Sequence, residues 1–364
     1  MPELGPLHLY SQHFKNPSPV IKVSVCIPTY NQALYLEKAI RSAAMQTWAP
    51  HEIIVSDDAS TDETPELLVR LAQEIPALKI MRQPQNLGIS LNVDRCLRAA
   101  SGDFIVRLDS DDMLLPAYIE RLASFIGTFP KAGYAHASVL EVDQYDRPVR
   151  ARQLIRKSGY QSDVESLKAA ISGYRVAANI IMFRREALEK AGYIKSNADF
   201  AEDYHLCASI AAQGYGNYYL DEILSNYRVW MDSGKVRQRR KLAEIKGLRQ
   251  VFAEVLEPAY TGNERMLNLI KNQRSRVASI HADCLGWTEY TASEKEELSR
   301  AIDQLSSSYK VKAVKWLYLN GYGQVWSKAI SLLNFPKQLL KLLILRWRDR
   351  KRNRRPVVQP FKSI

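Results

Sequence analysis

Cysteine is scarce in this 364-residue chain: Cys26, Cys96, Cys207 and Cys284 stand far apart, with no Cys-x-x-Cys pair. That spacing excludes a disulfide framework and a structural zinc site, and it fits a reducing compartment. Long apolar runs are missing too. Even in the leucine-rich C-terminal part the longest strictly apolar run is Leu342 to Leu345, far short of the ~20 residues that cross a bilayer. The opening residues, MPELGPLHLYSQHF, lack a basic start followed by an apolar core, so no secretory signal is expected. There is no repeat or low-complexity tract. Evenly spread positive charge is absent as well. Residues 335–364 hold ten Lys or Arg and one Asp, and the rest carries 41 basic against 38 acidic residues, so the net +12 is a nearly neutral body with a cationic tail. Such a distribution argues against a nucleic-acid binder.

What is present is 46% hydrophobic and 25% charged, with a mean hydropathy of −0.28, the proportions of a folded soluble protein. At ~150 residues per domain the length corresponds to about two domains, or to one large α/β domain with an appendage. Residues 1–22, with Pro6, Pro17 and Pro19, read as a loose arm. From there strands and helices alternate: strands at 23–28, 52–58, 78–83 and 103–112, helices at 33–44, about 64–75, about 90–100 and 117–126. This rhythm predicts βαβ units and a mainly parallel sheet with flanking helices. The pattern loosens over 132–185, with strands near 133–143 and 178–184 and a helix near 163–172. A helix at 202–212 and a strand near 217–228 close this half. Beyond about 235 the spacing predicts only helices, at 236–257, 264–285, 293–308 and 310–333, the third opened by a Ser293/Glu296 capping box.

In an open parallel sheet, ligands bind beyond the carboxyl ends of the strands. There this chain places P-T-Y-N (28–31), S-D-D-A-S-T-D (56–62) and L-D-S-D-D (108–112), which bring Asp57, Asp58, Asp109, Asp111 and Asp112 to one edge. Carboxylates gathered this way repel one another and need a cation or strong donors. In an extended segment Asp109 and Asp111 point the same way, as half of a Mg²⁺ or Mn²⁺ site that a diphosphate would complete. Taken alone, an Asp-x-Asp at a strand end is more often a turn or a helix cap. Its place behind two other acidic strand ends is what singles it out.

These residues, together with N-L-G-I-S-L-N-V-D-R, M-F-R-R-E-A-L-E-K-A-G-Y (182–193), A-E-D-Y-H-L (201–206) and Y-R-V-W-M-D-S (227–233), closely resemble the family 2 glycosyltransferases of GT-A fold over about 23–235. The resemblance implies an inverting, nucleotide-sugar-dependent enzyme of bacterial type. It implies that Pro28, Thr29, Tyr30 and Asn31 wall the base and ribose, and that Asp57 or Asp58 accepts a hydrogen bond from the base. Ala59 stands where the family usually has Gly. Asn86, Gly88 and Arg95 fall where the family contacts the nucleotide and its phosphates. Asp109 would touch ribose or donor sugar, and Asp111, with Asp109 beside it, would hold the metal, Mg²⁺ or Mn²⁺. Glu202 and Asp203 match the acidic pair that opens the acceptor-side helix, with Asp203 as general base and Glu202 next in line. By themselves, two acids at a helix start are the ordinary preference for the positive end of the dipole.

One departure stands out. Many relatives have Tyr-Arg-x-His followed by Ser-x-Ser, whereas this chain has Tyr227-Arg228-Val229-Trp230 with Ser233 and Lys235. Trp230 cannot ligate a metal. Either Asp111, phosphates and water hold it alone, or cations such as Arg228 and Lys235 share the charge. Residues 335–364 place apolar side chains beside Lys337, Lys341, Arg346 and Arg348, then a basic cluster. They are expected to form an interfacial anchor on anionic lipid, the alternative being a terminal helix on the body with a solvated basic end. The expected organisation is an arm at 1–22, a catalytic domain at 23–235, a helical region at 236–334 and a basic amphipathic segment at 335–364. The expected setting is cytoplasmic, peripheral on the inner face of the cell membrane. The expected partners are a nucleoside-diphosphate sugar, UDP-linked, and a glycan or lipid-linked acceptor of surface polysaccharide assembly. A sugar nucleotidyltransferase is the rival enzyme, but no glycine-rich phosphate loop follows the first strand. A catalytically silent assembly subunit is the rival from another class, kept open by Trp230.

Overall fold

The computed structural model describes residues 21–195, 200–230, 239–329 and 332. Its first half is β1 (Val23–Thr29), α1 (Ala33–Ala44), β2 (Glu52–Asp57), α2 (Thr64–Glu74), β3 (Leu78–Arg82), α3 (Ile89–Ala99) and β4 (Phe104–Arg107). There follow β5 (Met113–Leu114), α4 (Tyr118–Thr128), β6 (Ala132–Val142), β7 (Pro148–Arg152), β8 (Gly159–Gln161) and α5 (Asp163–Ile171). Then come β9 (Ile181–Arg184), α6 (Arg185–Ala191), α7 (Glu202–Ala212) and β10 (Gly216–Arg228). One sheet of order β3-β2-β1-β4-β9-β6-β10-β5 results, with β7 added on β6 and β8 on β10. β1 to β4, β6 and β10 share a direction while β9, β5, β7 and β8 oppose it, so the sheet is mainly parallel as expected. β1 and β2 are buried almost throughout because helices cover both faces. By contrast β7 is exposed at every position, and its Arg150 binds Glu141 of β6 at 2.6 Å. A short, charged edge strand of this kind discourages pairing with another chain.

The remaining helices include α8 (Lys241–Gln250), continued by a π-helical stretch (Val251–Leu256) to Ala259, then α9 (Glu264–His281), α10 (Ala292–Leu305) and α11 (Tyr309–Leu319), with residues 323–329 helical again beyond it. Their core is shared with the sheet half: Leu167 and Ile171 of α5 and Tyr204, Ala208 and Ala211 of α7 pack with Ile245, Phe252, Ile270 and Ile302. All four cysteines are buried free thiols. No described helix is long and apolar enough to cross a membrane.

Local chemistry moved several boundaries. The capping box of α10 is Thr291 with Glu294, not Ser293 with Glu296, so that helix opens at Ala292. The single helix expected over 310–333 is interrupted after Leu319. Gly321 takes φ +84°, and the Tyr322 N–H returns to the Leu317 carbonyl at 2.8 Å, a glycine C-terminal stop. The strand expected to reach residue 112 ends at Arg107, because the Asp112 N–H closes a turn on the Asp109 carbonyl at 3.0 Å.

Candidate functional site

β1 and β2 end side by side, with Thr29 in register with Asp57. The loops that follow them are stitched together. The Asn31 N–H donates to Ser60 Oγ at 2.9 Å, the Thr61 N–H to Asn31 Oδ1 at 2.8 Å, and the Ser60 N–H to Asp57 Oδ1 at 3.0 Å. Asn31 and Ala59 adopt φ of +52° and +61°, the left-handed region where glycine fits best. This accounts for the family's usual Gly at position 59. Between the loops, Thr29 Oγ1 and Asp57 Oδ2 are buried without a hydrogen bond, the latter facing Arg82 Nε at 3.5 Å. A buried hydroxyl without a hydrogen bond, beside a buried carboxylate oxygen held only by an ion pair, suits a polar ligand at the end of a parallel sheet. Pro28 is half-buried beneath them and Tyr30 is exposed.

Asp58 has a different task from Asp57. Its oxygens accept the N–H groups of Leu87 and Gly88 at 2.8 and 3.0 Å, fixing the turn into α3, where Asn86 Oδ1 also receives the Gly88 N–H at 3.1 Å. Arg95, about two helical turns further on, donates to Gln83 Oε1 at 2.6 Å. Gln83 in turn donates to Ser56 Oγ, which donates to Asn92 Oδ1.

The acidic turn after β4 splits its carboxylates among different partners, and the extended segment expected to carry them ends before it, at Arg107. Asp109 Oδ1 accepts from Arg107 Nε at 3.1 Å, Asp111 Oδ2 from the indole Nε1 of Trp230 at 2.9 Å, and Asp112 Oδ1 from the Arg228 N–H at 2.7 Å. The Asp112 Oδ2 atom is buried without a partner. Burial first, then the Asp109 charge, pushes the Asp111 carboxyl up, and Asp112 rises further through burial and its two acidic neighbours. Such crowding is the electrostatic imprint of a site that favours a cation. Among the described residues no group of three or more His, Cys, Asp or Glu could hold a metal by itself.

Arg107 is the residue that sequence reasoning passed over. It is a buried cation at the end of an otherwise apolar strand, F-I-V-R, and that mismatch was the available signal. Its guanidinium binds Asp109 through Nε, Glu202 through Nη2 at 3.4 Å and Asp203 through Nη1. Carboxylates from the turn after β4 and from the start of α7 thus meet on one group. Burial pushes the Asp203 carboxyl up while Arg107 pulls it down, and the three surrounding carboxylates keep Arg107 charged. Asp203 and Glu202 open α7 after Ala201, which is itself left-handed at φ +62°. Behind that turn lies Gly247 of α8, where an added Cβ would stand 2.2 Å from the Phe200 carbonyl oxygen. His205 on the same helix meets Glu254 at 3.2 Å. The helical region therefore braces the start of α7.

Arg228, expected among the donor-binding residues, has a fully buried side chain whose donors meet the carbonyls of Asp111 and Asp143, at 2.9 and 2.6 Å, and the Asp146 carboxylate. It lies 4.4 Å from the Tyr35 ring centre, and Tyr35 meets Trp230 edge-on at 5.2 Å. Asp146 also binds Lys38. Ser233, Lys235 and residues 335–364 lie outside the described residues.

Residues 24–192 match the family described as Glycosyl transferase family 2. These residues are a family 2 glycosyltransferase domain. Among curated relatives it is 38% identical over 116 residues to the GalNAc(5)-diNAcBac-PP-undecaprenol beta-1,3-glucosyltransferase of Campylobacter jejuni. That match covers 32% of this chain and 36% of the relative, so the chain spans about a third of that relative's length. A crystal structure of TarS 1-349 from S. aureus in complex with UDP superposes with a TM-score of 0.52 at 18% identity, covering 83% of this chain and 92% of that one. The mannosyltransferase PcManGT of Pyrobaculum calidifontis, in complex with GDP-Man and Mn²⁺, gives 0.51 at 19% identity, covering 87% and 89%. At these identities the structural likeness carries the fold, which is GT-A with a helical C-terminal region.

Proposed function

We propose that this glycosyltransferase is an inverting enzyme. It moves a sugar from a nucleoside-diphosphate donor, UDP-linked, to a hydroxyl of a glycan or lipid-linked glycan in bacterial surface polysaccharide assembly. The observation that carries this reading is the buried Arg107 guanidinium, which binds donor-side Asp109 and acceptor-side Asp203 at once. Asp203 takes the acceptor's proton as the hydroxyl oxygen bonds to the anomeric carbon, and the bond from that carbon to the diphosphate oxygen breaks. Its raised pKa, set by burial, suits a base that must hold a proton briefly. The unmet oxygens of Thr29 and Asp57, with Pro28, Tyr30 and Asn31, take the base and ribose, and the turn from Asn86 to Gly88 with Arg95 lies beside the phosphates. Asp111 and Asp109 would hold Mg²⁺ or Mn²⁺, which supplies charge compensation for the departing diphosphate. The relatives described with an undecaprenol-linked glycan, UDP, and GDP-Man with Mn²⁺ support these choices.

Residues 23–235 are the catalytic unit in this reading, preceded by the arm at 1–22 and braced by the helical region at 236–334. The segment at 335–364 holds the enzyme peripherally on the inner face of the cell membrane. Thermal shift with UDP, GDP and other nucleoside diphosphates, with and without Mn²⁺, tests it. UDP should stabilise the protein only with the metal, and the absence of any nucleotide effect refutes the transferase reading. That second outcome would support the silent assembly subunit, which the Trp230 indole on Asp111 favours.

A further inference from the structure

Helix α11 presents two unlike faces. Val311 and Val314 of α11 are buried against the helical core, and Lys315 is tied to Asp303 at 2.6 Å. On the opposite side Tyr309, Lys312, Trp316 and Leu319 recur at helical spacing and are exposed, Tyr309 at 91% and Trp316 at 57%. Tyr322, just past the glycine stop, stacks on Trp316 at 5.8 Å and is exposed too, as is Val325. The Lys312 ammonium sits 5.9 Å from the Tyr309 ring centre. A stripe of tyrosine, tryptophan and leucine laced with lysine, left in solvent on a helix already anchored from behind, is not explained by the fold.

The charge of this part of the sequence says what covers it. From residue 304 to residue 348 there is no Asp or Glu, while Lys310, Lys312, Lys328, Lys337, Lys341, Arg346 and Arg348 supply seven positive charges beside the Lys315 that Asp303 pairs. A stretch of that length without one acid suits an anionic partner. Trp and Tyr prefer an interface where the ring is apolar and its polar edge stays wet, and lysines reach outward to phosphate. We propose that the exposed face of α11, from Tyr309 to Leu319 and on through Tyr322, is a docking surface for an anionic lipid membrane. The face inserts its aromatic and leucine side chains at headgroup depth and sets the orientation of the body, a task that a terminal tail cannot perform. The inference deepens the peripheral placement proposed above, and rests on that placement but not on the transfer chemistry.

Vesicle flotation of the full-length chain on phosphatidylglycerol and on phosphatidylcholine tests it. Three proteins are compared: the natural sequence, Trp316→Ser with Leu319→Ser, and a chain with Arg350, Lys351, Arg352, Arg354 and Arg355 all changed to Gln. The natural protein should float with phosphatidylglycerol and not with phosphatidylcholine. The Trp316/Leu319 variant should bind at least about tenfold more weakly, the difference persisting at high salt because apolar insertion is not screened. Both positions are exposed, so unchanged circular dichroism and an unchanged UDP-dependent thermal shift are expected beside the loss. Should that variant float like the natural protein while the glutamine chain does not, the tail alone holds the membrane and the helix proposal is overturned. Should sedimentation show a dimer that Trp316→Ser with Leu319→Ser converts to monomer, the face is a subunit contact and the proposal is likewise overturned.

Discussion

Replacing Arg107 by Met removes the only guanidinium that Asp109, Glu202 and Asp203 are shown to share. The arginine side chain is 5% exposed, and those of Glu202 and Asp203 are 8% and 10% exposed, so solvent has little access to take over. Removing one member of a buried charge cluster costs about 3–5 kcal/mol, because the partners stay desolvated and uncompensated. Against a typical total of ~5–15 kcal/mol the variant should still fold, with a melting temperature lower by about 10 °C. The sign of its pH dependence follows from Asp203. Its carboxyl is already raised by burial, and the loss of Arg107 raises it further. A raised folded-state pKa makes an acid destabilising above that pKa, and the penalty is relieved as pH falls through it. Urea denaturation of both proteins at pH 8 and pH 5 should therefore show a gap that narrows on acidification. Arg107→Lys, which keeps one charge but not the fork, should fall between the two. A loss below about 1 kcal/mol at pH 8, or a gap of constant size, would refute the picture of Arg107 as the cluster's counter-charge.

Asp203→Asn should keep UDP affinity while transfer falls by about 10²–10⁴, and a variant that retains most of its rate moves the base to Glu202. Asp111→Asn should abolish the Mn²⁺-dependent part of UDP binding in calorimetry without unfolding the chain, since the amide oxygen still accepts from Trp230 and repulsion is relieved. Glu52 predicts the acid limb of stability. Burial pushes this carboxyl up, but Lys79, Ser24 and Ser101 more than offset that and hold it down to about 2, from 4.5. Its contribution of about 3 kcal/mol is thus complete above pH 4.5 and lost between about 4.5 and 2, a loss that Glu52→Gln should remove from the denaturation curve. Gly247→Ala should cost about 1–3 kcal/mol and lower transfer more than UDP binding, because the new Cβ collides with the Phe200 carbonyl just before Asp203; equal effects on both would place the strain elsewhere.

The parallel half of the sheet was readable because its signals are local. V-S-V-C-I-P and E-I-I-V-S-D are apolar runs bounded by turn residues, and burial on both faces of β1 and β2 rewards that composition directly. What escaped depends on partners distant in the chain. β5, with two residues, exists only because Met113 and Leu114 pair with Asn226 and Ser225 of β10. β8 is held in the same way by Asn217 to Tyr219. The Asn320-Gly321 stop was legible in principle, since a glycine that takes a positive φ after an Asn is a local signal. It was overridden by apolar periodicity that resumes beyond it.

For the site, sequence brought the acids to one edge, but it did not reveal the protein partners of the cations among them. Arg228 shows why. Next to Tyr227, in the motif of the resemblance, it reads as a cation that shares the charge of the donor site. Its backbone N–H holds Asp112, its guanidinium holds the turn at 143–146, and Tyr35 covers its face. These contacts join β10, the turn after β6, and α1, and no spacing rule relates those three. Trp230 follows from the same arrangement. With Arg228 fixed beneath it and Tyr35 at its edge, the indole N–H is delivered to Asp111, so one oxygen of that carboxylate already has a donor. A histidine at this position could give a lone pair to a cation, whereas tryptophan gives only a proton donor to the cation's ligand. In the reading proposed above, position 230 therefore works not by binding a metal but by orienting the Asp111 carboxylate proposed to hold it. Its consequence for metal dependence has to be sought in how firmly Asp111 is held.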